Sequence, residues 1–407
     1  MPHLDRSGRG PGLPARPIYL DYNATTPVDP LVLEALLPAL ERDFGNPSSA
    51  HAFGDAPRRA LGLARARVAA LVGAAPDQVV FTAGGTESDA LAIQGTVRAA
   101  LARQPDLPPH VVTQTTEHPA VLGACATLEH DYGVAVTYLP VDRDGLVDPA
   151  AVEAALRPET VLVSLMAANN ETGTLQPVRE VGAITGAYGV LLHVDAAQAA
   201  GKVEVDVASW GADLLTVVGH KMYAPKGIGA LYVAPGVTLR PLVAGGGQER
   251  GRRAGTENVA LAVALGAAAD LARAELAAGR PEVLAGMRDL LEARLAAGLP
   301  GRVRLNGHRE RRLPQTLNVS IDGLRGHELL AAVPDVAAST GSACHADEDA
   351  PSPVLVAMGL GPERAMAAVR LTLGRWSTPE DVCAAADLLA RAAGRLTPPG
   401  PPVPVHT

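Results

Sequence analysis

Cysteine and lysine are scarce in this sequence, and each scarcity narrows what the chain can be. Three cysteines (Cys125, Cys344, Cys383) among 407 residues are too few and too scattered for a disulfide framework, and no CxxC pair offers a structural zinc site. A reducing compartment fits best, so a cytoplasmic protein is expected. Positive charge is not in excess either: 35 Lys plus Arg stand against 43 Asp plus Glu, a net charge of −8, which argues against nucleic acid or an anionic membrane as a partner. No charge-free apolar run reaches the roughly 18 residues of a transmembrane helix. The first sixteen residues, rich in Gly, Pro and Arg, hold no apolar stretch of the kind a secretory signal needs. Only three of the basic residues are lysines, Lys202, Lys221 and Lys226, so chemistry that requires a primary amine has three candidates.

What is present describes a folding chain. Apolar residues make up 47% and charged residues 19%, an ordinary globular balance, and the length predicts two to three domains at about 150 residues each. Short β-branched runs alternate with Ala/Leu-rich helical stretches, the mark of an α/β protein with a mainly parallel sheet. Seven strands are expected, at 78–82, 110–114, 135–140, 160–166, 190–195, 214–219 and 229–234. Past residue 250 a long helical stretch over 257–299 and short strands such as 316–321 suggest a smaller α+β domain. The expected organisation is a tail at 1–16, a large domain at 17–255 whose first residues pack on the small one, a small domain at 256–394 and a proline-rich tail at 395–407.

In an open α/β sheet the loops leaving the carboxyl ends of the strands build the binding site, and the residues with chemistry to offer sit there. Lys221 follows the strand at 214–219 beside His220; an amine partly buried in such a place has a depressed pKa and can attack a carbonyl cofactor. Asp195 and Gln198 close another strand, where a carboxylate can pair with a protonated pyridine nitrogen or simply cap a helix. The run FTAGGTESDALAI puts Gly85 and Thr86 at the start of a helix, whose amino end offers donors to a phosphate. His118 can stack on a flat ring and shuttle protons. Asn170 can reach a ring oxygen or a substrate carboxylate. Each segment alone has an ordinary structural reading; together they supply the parts of a pyridoxal phosphate pocket.

With YLDYNATTPVDP, FGNPSSAH, GGTESDALAIQG, TTEHPAVL, ANNETGTLQPV, HVDAAQAAGK, GGGQERGRRAGTEN, STGSACHAD and LTLGRWSTPEDV in order along 19–382, the chain resembles the cysteine desulfurase and selenocysteine lyase group of the class V pyridoxal-phosphate aminotransferase family. The resemblance implies a fold-type I enzyme. Lys221 would link to the cofactor, Asp195 would pair with its ring nitrogen and His118 would stack on the ring. Gln198 would bond the ring hydroxyl, with Gly85, Thr86 and His220 at the phosphate. Thr256 would reach the phosphate of a partner subunit, which implies a homodimer with shared sites. Asn170 and Arg370 would clamp the substrate carboxylate, for which a guanidinium fork is suited. Val218 departs from the pattern, standing where a serine often supplies a phosphate ligand.

Cys344, among small polar neighbours, decides the implied reaction. Its thiolate would take sulfur from L-cysteine, giving L-alanine and a persulfide for a sulfur acceptor such as an iron–sulfur scaffold protein, or for thiolation. Release of selenide from L-selenocysteine is the alternative. Lys221 and His118 would move the protons, Cys125 and Cys383 would be structural, and no resident metal is expected, with transient iron–sulfur ligation at Cys344 left open.

Overall fold

A computed structural model describes residues 17–341 and 350–396. Its largest sheet has seven strands in the spatial order Val79–Thr82, Gly229–Val233, Leu214–Val218, Leu191–Asp195, Thr160–Met166, His110–Gln114, Ala135–Leu139. Gly229–Val233 runs antiparallel to both of its neighbours, and the remaining pairings are parallel. All seven lie where the β-branched runs place them. Strands covered on both faces by helices read as continuous apolar runs, and Leu214–Val218 is buried at every position. Each fully buried Leu or Val of this layer is stabilising by about 1.5–3 kcal/mol relative to exposure.

The chain leaves His110–Gln114 for the sheet's edge and returns on the other side of it as Thr160–Met166. Strand order reverses there, and clefts in open α/β sheets form at such a point.

A second core gathers Leu20, Met287, Leu291, Leu295, Leu317, Val319, Val369, Leu371 and Leu389 around a three-stranded antiparallel sheet. Ile18–Tyr19 pairs with Val336–Ala337, so the first described residues pack on this smaller unit. The helical stretch at 257–299 is two helices, Val259–Ala277 and Arg280–Gly298. Gly279 separates them at φ +73°, a left-handed position that suits glycine, and Pro281 lies in the first turn of the second. Ala260, Ala264, Leu265, Ala268 and Ala272 belong to the core of the large sheet. A boundary at 255 therefore falls too early by one helix, because alanine-rich composition does not say which neighbour a helix packs on. No described helix is long and apolar enough to cross a membrane.

Candidate active site

A cleft of about 310 Å³ opens at the strand ends, at the lower end of the range for small-molecule sites. Lys221, Asp195, Gln198, His118, Asn170, Gly85, Thr86, His220 and Arg370 all line it. Sequence positions spread from 85 to 370 thus converge, most of them from the strand-end loops and Arg370 from within the strand Ala368–Thr372 of a three-stranded sheet. Cys344 lies outside the described residues. Gly341, just before that gap, and Pro353 and Val354, just after it, line the same cleft.

Lys221 ends a short turn, Gly219–Lys221, directly after its strand. Its Nζ donates to Asn23 O at 2.6 Å and to Ala24 O at 2.8 Å. Burial first, then the Arg370 cation, bring its pKa down to about 8, so a usable fraction of the amine is neutral near physiological pH. Lys202 and Lys226 do not line the cleft.

Asp195 accepts from Ala197 N at 2.9 Å, and burial raises its pKa. Two further acids, absent from the sequence-based set, share its surroundings. Glu117 accepts from Met166 N at 2.7 Å and from Gln114 Nε2 at 2.9 Å, yet its Oε2 has no partner among the described residues. Burial brings its pKa up to about 8. Asp89 Oδ1 is also unpartnered, with His193 Nε2 at 3.6 Å, and burial followed by the Asp195 charge raises its pKa as well. Both acids sit inside motifs already singled out, GTESDA and TEHPAV, but only the fold turns their side chains toward Asp195.

His118 caps the helix Pro119–Tyr132, its Nδ1 accepting from Ala120 N at 3.1 Å. The neutral ring therefore carries its proton on Nε2, and burial lowers its pKa. His220 Nδ1 lies 3.1 Å from Thr25 Oγ1, and burial takes its pKa down to about 4, leaving it neutral.

The helix Gly85–Arg103 begins at Gly84 with no capping side chain, which leaves the first-turn N–H groups facing the cleft for an anion. A Cβ on Gly85 would stand 2.8 Å from Val218 Cγ2, so any side chain there would have to displace Val218. Arg370, 2% exposed, pairs with Asp21 at 2.7 Å and donates from Nη1 to Asn170 O and Gly341 O, each at 3.1 Å. Its Nε has no partner among the described residues, leaving a donor for a carboxylate. Asn170 lines the cleft, whereas Asn169 is taken up in loop bonds to Thr116, Glu171 and Thr172.

Thr256 lies elsewhere. With Gly227, Gly255, Arg253 and Asn258 it lines a second cleft, bordered by Leu61.

These donors fit pyridoxal phosphate. An amine of low pKa serves its aldehyde, a buried carboxylate its ring nitrogen, and an uncapped helix start its phosphate. Among the described residues no cluster of His, Cys, Asp and Glu is placed to hold a metal ion.

Comparison with known proteins agrees with this chemistry. The model of the family described as Aminotransferase class-V matches residues 18–384. A "Cysteine desulfurase IscS" from Anaeromyxobacter sp. (strain Fw109-5) is 49% identical over 369 residues, covering 90% of this chain and 90% of the relative. Among solved structures, a "NIFS-LIKE PROTEIN" superposes with TM-score 0.84 at 34% identity, covering 93% of this chain and 100% of its own. "SspA in complex with cysteine" superposes with TM-score 0.77 at 36% identity, covering 87% and 98%.

Proposed function

The chain belongs to the class-V aminotransferase family, and we propose that within it the protein is a pyridoxal-phosphate-dependent cysteine desulfurase that converts L-cysteine to L-alanine and leaves the sulfur as a persulfide on Cys344. One observation carries the reading: Lys221, Asp195, His118 and Arg370 line one cleft, and Gly341 and Pro353, described residues on either side of Cys344 in the sequence, line it too. L-Cysteine is the substrate in keeping with the names of the relatives.

When bound, pyridoxal phosphate supplies an electron sink conjugated to the substrate's α carbon. Gly85, Thr86 and His220 would hold its phosphate, Asp195 would keep its ring nitrogen protonated and Gln198 would bond its ring oxygen. Arg370, through its free Nε, and Asn170 orient the substrate by its carboxylate. Lys221 Nζ takes the α-proton and later returns it. His118 meets the substrate sulfur through Nε2, the nitrogen that the cap bond leaves free. The Cys344 thiolate attacks that sulfur; the S–S bond forms as the Cβ–S bond breaks, and the electron pair left on carbon is protonated. L-Cysteine plus one enzyme thiol thus become L-alanine plus one persulfide, with no outside oxidant. Sulfur then passes to an acceptor protein, for iron–sulfur cluster assembly or thiolation.

The reading includes a homodimer in the cytoplasm. Phe44 and Phe53 are 68% and 67% exposed, and Leu31, Leu33, Leu40 and Leu63 are exposed near them in sequence, on or beside the first two helices. The Phe44 and Phe53 rings lie 5.9 Å apart, and exposed apolar side chains in such number support an interface here. Phe53 shares its helix, Ala52–Leu71, with Leu61 at the edge of the Thr256 cleft, which supports Thr256 serving the partner's phosphate. Phe53→Asp is expected to turn dimer into monomer in sedimentation velocity and to weaken cofactor retention at the same time. A monomeric wild-type protein with full activity would end this part of the reading. Cytoplasmic location rests on the unpaired Cys125 and Cys383.

The activity itself is tested by parallel kinetics on L-cysteine and L-selenocysteine, with alanine as the readout. Alanine from L-cysteine in the presence of a reductant is expected. Turnover of selenocysteine alone would make the enzyme a lyase, and an enzyme indifferent to both would refute the reading.

A further inference from the structure

Lys202 has no part in the chemistry above, yet it is tied to it. Its Nζ donates to Gln198 Oε1 at 2.7 Å. Gln198 Nε2 donates to Asn23 O at 3.0 Å, and the same carbonyl oxygen accepts from Lys221 Nζ at 2.6 Å. A peptide carbonyl can only accept, so the nitrogen of the Gln198 amide must face Asn23 and its oxygen must face Lys202. One N–H of Gln198 is left over, on a side chain that is buried and lines the cleft.

We propose that Lys202 is a positioning residue, which holds Gln198 so that its remaining N–H donates to the ring oxygen of the bound cofactor. The inference rests on the pyridoxal phosphate reading and goes beyond it by naming what orients that donor. With two anchors the amide has one orientation; with Asn23 alone it can swing about that single bond. Lys221 and Arg370 are the cations whose charges bear on Lys202. Glu275, Arg280 and Arg375 border the small cavity that Lys202 lines on its other side, with Glu275 already paired to Arg375 at 2.7 Å. Burial, then the Lys221 and Arg370 charges, hold the Lys202 pKa well below the ordinary lysine value, a cost that a surface lysine would avoid.

The test follows the visible absorption of the holoenzyme as pH is raised. A donor on the ring oxygen steadies negative charge there, so the proton on the link between Lys221 and the cofactor leaves more easily. Losing that donor raises the midpoint. Lys202→Met and Gln198→Leu should each move the midpoint upward by about 0.5–1 pH unit, and the double variant should move it no further than Gln198→Leu. Lys202→Arg, which keeps a donor, should return the midpoint toward that of the wild type. Additive shifts would mean that Lys202 acts by charge alone, and an unmoved midpoint in either single variant would also overturn the proposal. A wild-type protein with no visible band would instead overturn the cofactor reading beneath it.

Discussion

Lys221→Met should yield a folded protein that takes up pyridoxal phosphate without acquiring a borohydride-stable label, and whose turnover of L-cysteine falls by about 10²–10⁴-fold or more. Three lysines are available to the aldehyde, and the structure separates them. Lys221 Nζ stands in the cleft on two backbone carbonyls, Lys202 is tied to Gln198 behind it, and Lys226 lies off the cleft. Only a neutral amine attacks a carbonyl. With a pKa near 8, the neutral fraction of Lys221 should rise about tenfold from pH 7 to pH 9, and the rate at which cofactor-free protein captures pyridoxal phosphate should follow it and then level off. An ordinary lysine would still be accelerating at pH 9. Peptide mapping after reduction checks the identity, and the pH–rate curve checks the environment. A label on Lys202 or Lys226, or a capture rate that climbs without a plateau to pH 10, would show that the amine has been misassigned.

The same geometry explains what the sequence could and could not disclose. Six of the strands were legible because both faces of the sheet are largely covered there, and a doubly buried strand writes itself as a β-branched run; the edge strand Ala135–Leu139, buried only at Leu139, was legible from its β-branched and aromatic residues instead. Most of the cleft-lining residues were legible because they follow those strands directly. The end of the large unit was not: Val259–Ala277 is as alanine-rich as any helix of the small unit, and its burial against Ala64 and Val68 leaves no trace in its own composition. Nor were Asp89 and Glu117. A carboxylate near the start of a helix, as Asp89 is, or in the loop before one, as Glu117 is, reads as ordinary solvated charge, and only the folded arrangement brings both close enough for their charges to bear on Asp195. Asn23 is a further case. Its carbonyl holds Lys221 and Gln198, while its side chain reaches Asn170 O and Thr316 Oγ1, joining the cleft to the smaller sheet. A backbone acceptor carries no residue-type signal. Val218, read as a lost phosphate donor, gains a positive role in the structure as the side chain that packs on Gly85.

Cys344→Ser is expected to abolish the persulfide, and with it alanine formation from L-cysteine, by about three orders of magnitude or more, while the visible spectrum of the holoenzyme stays intact. The other two thiols cannot substitute. Cys125 is fully buried and its pKa is pushed up to about 12, so it offers almost no thiolate, and Cys383, half-buried in the helix Pro379–Leu396, does not line the cleft. Cys344 is three residues from Gly341, a span of at most about 11 Å of extended chain, and Gly341 is itself part of the cleft wall, where its carbonyl accepts from Arg370. Chain length alone thus permits the thiol to reach the cleft in which, on the proposed reading, the substrate carboxylate would be held. Mass spectrometry of the tryptic peptide after one turnover should show a gain of one sulfur atom in the wild type and none in the serine variant, with Cys125 and Cys383 unchanged in both. Serine keeps the size and the hydrogen bonding but cannot hold sulfur on sulfur, so retained binding with lost transfer would isolate the chemical step. A serine variant that still forms alanine from cysteine at the wild-type rate would mean that sulfur leaves directly as sulfide, and that the segment between Gly341 and Ala350 serves only to shape the cleft.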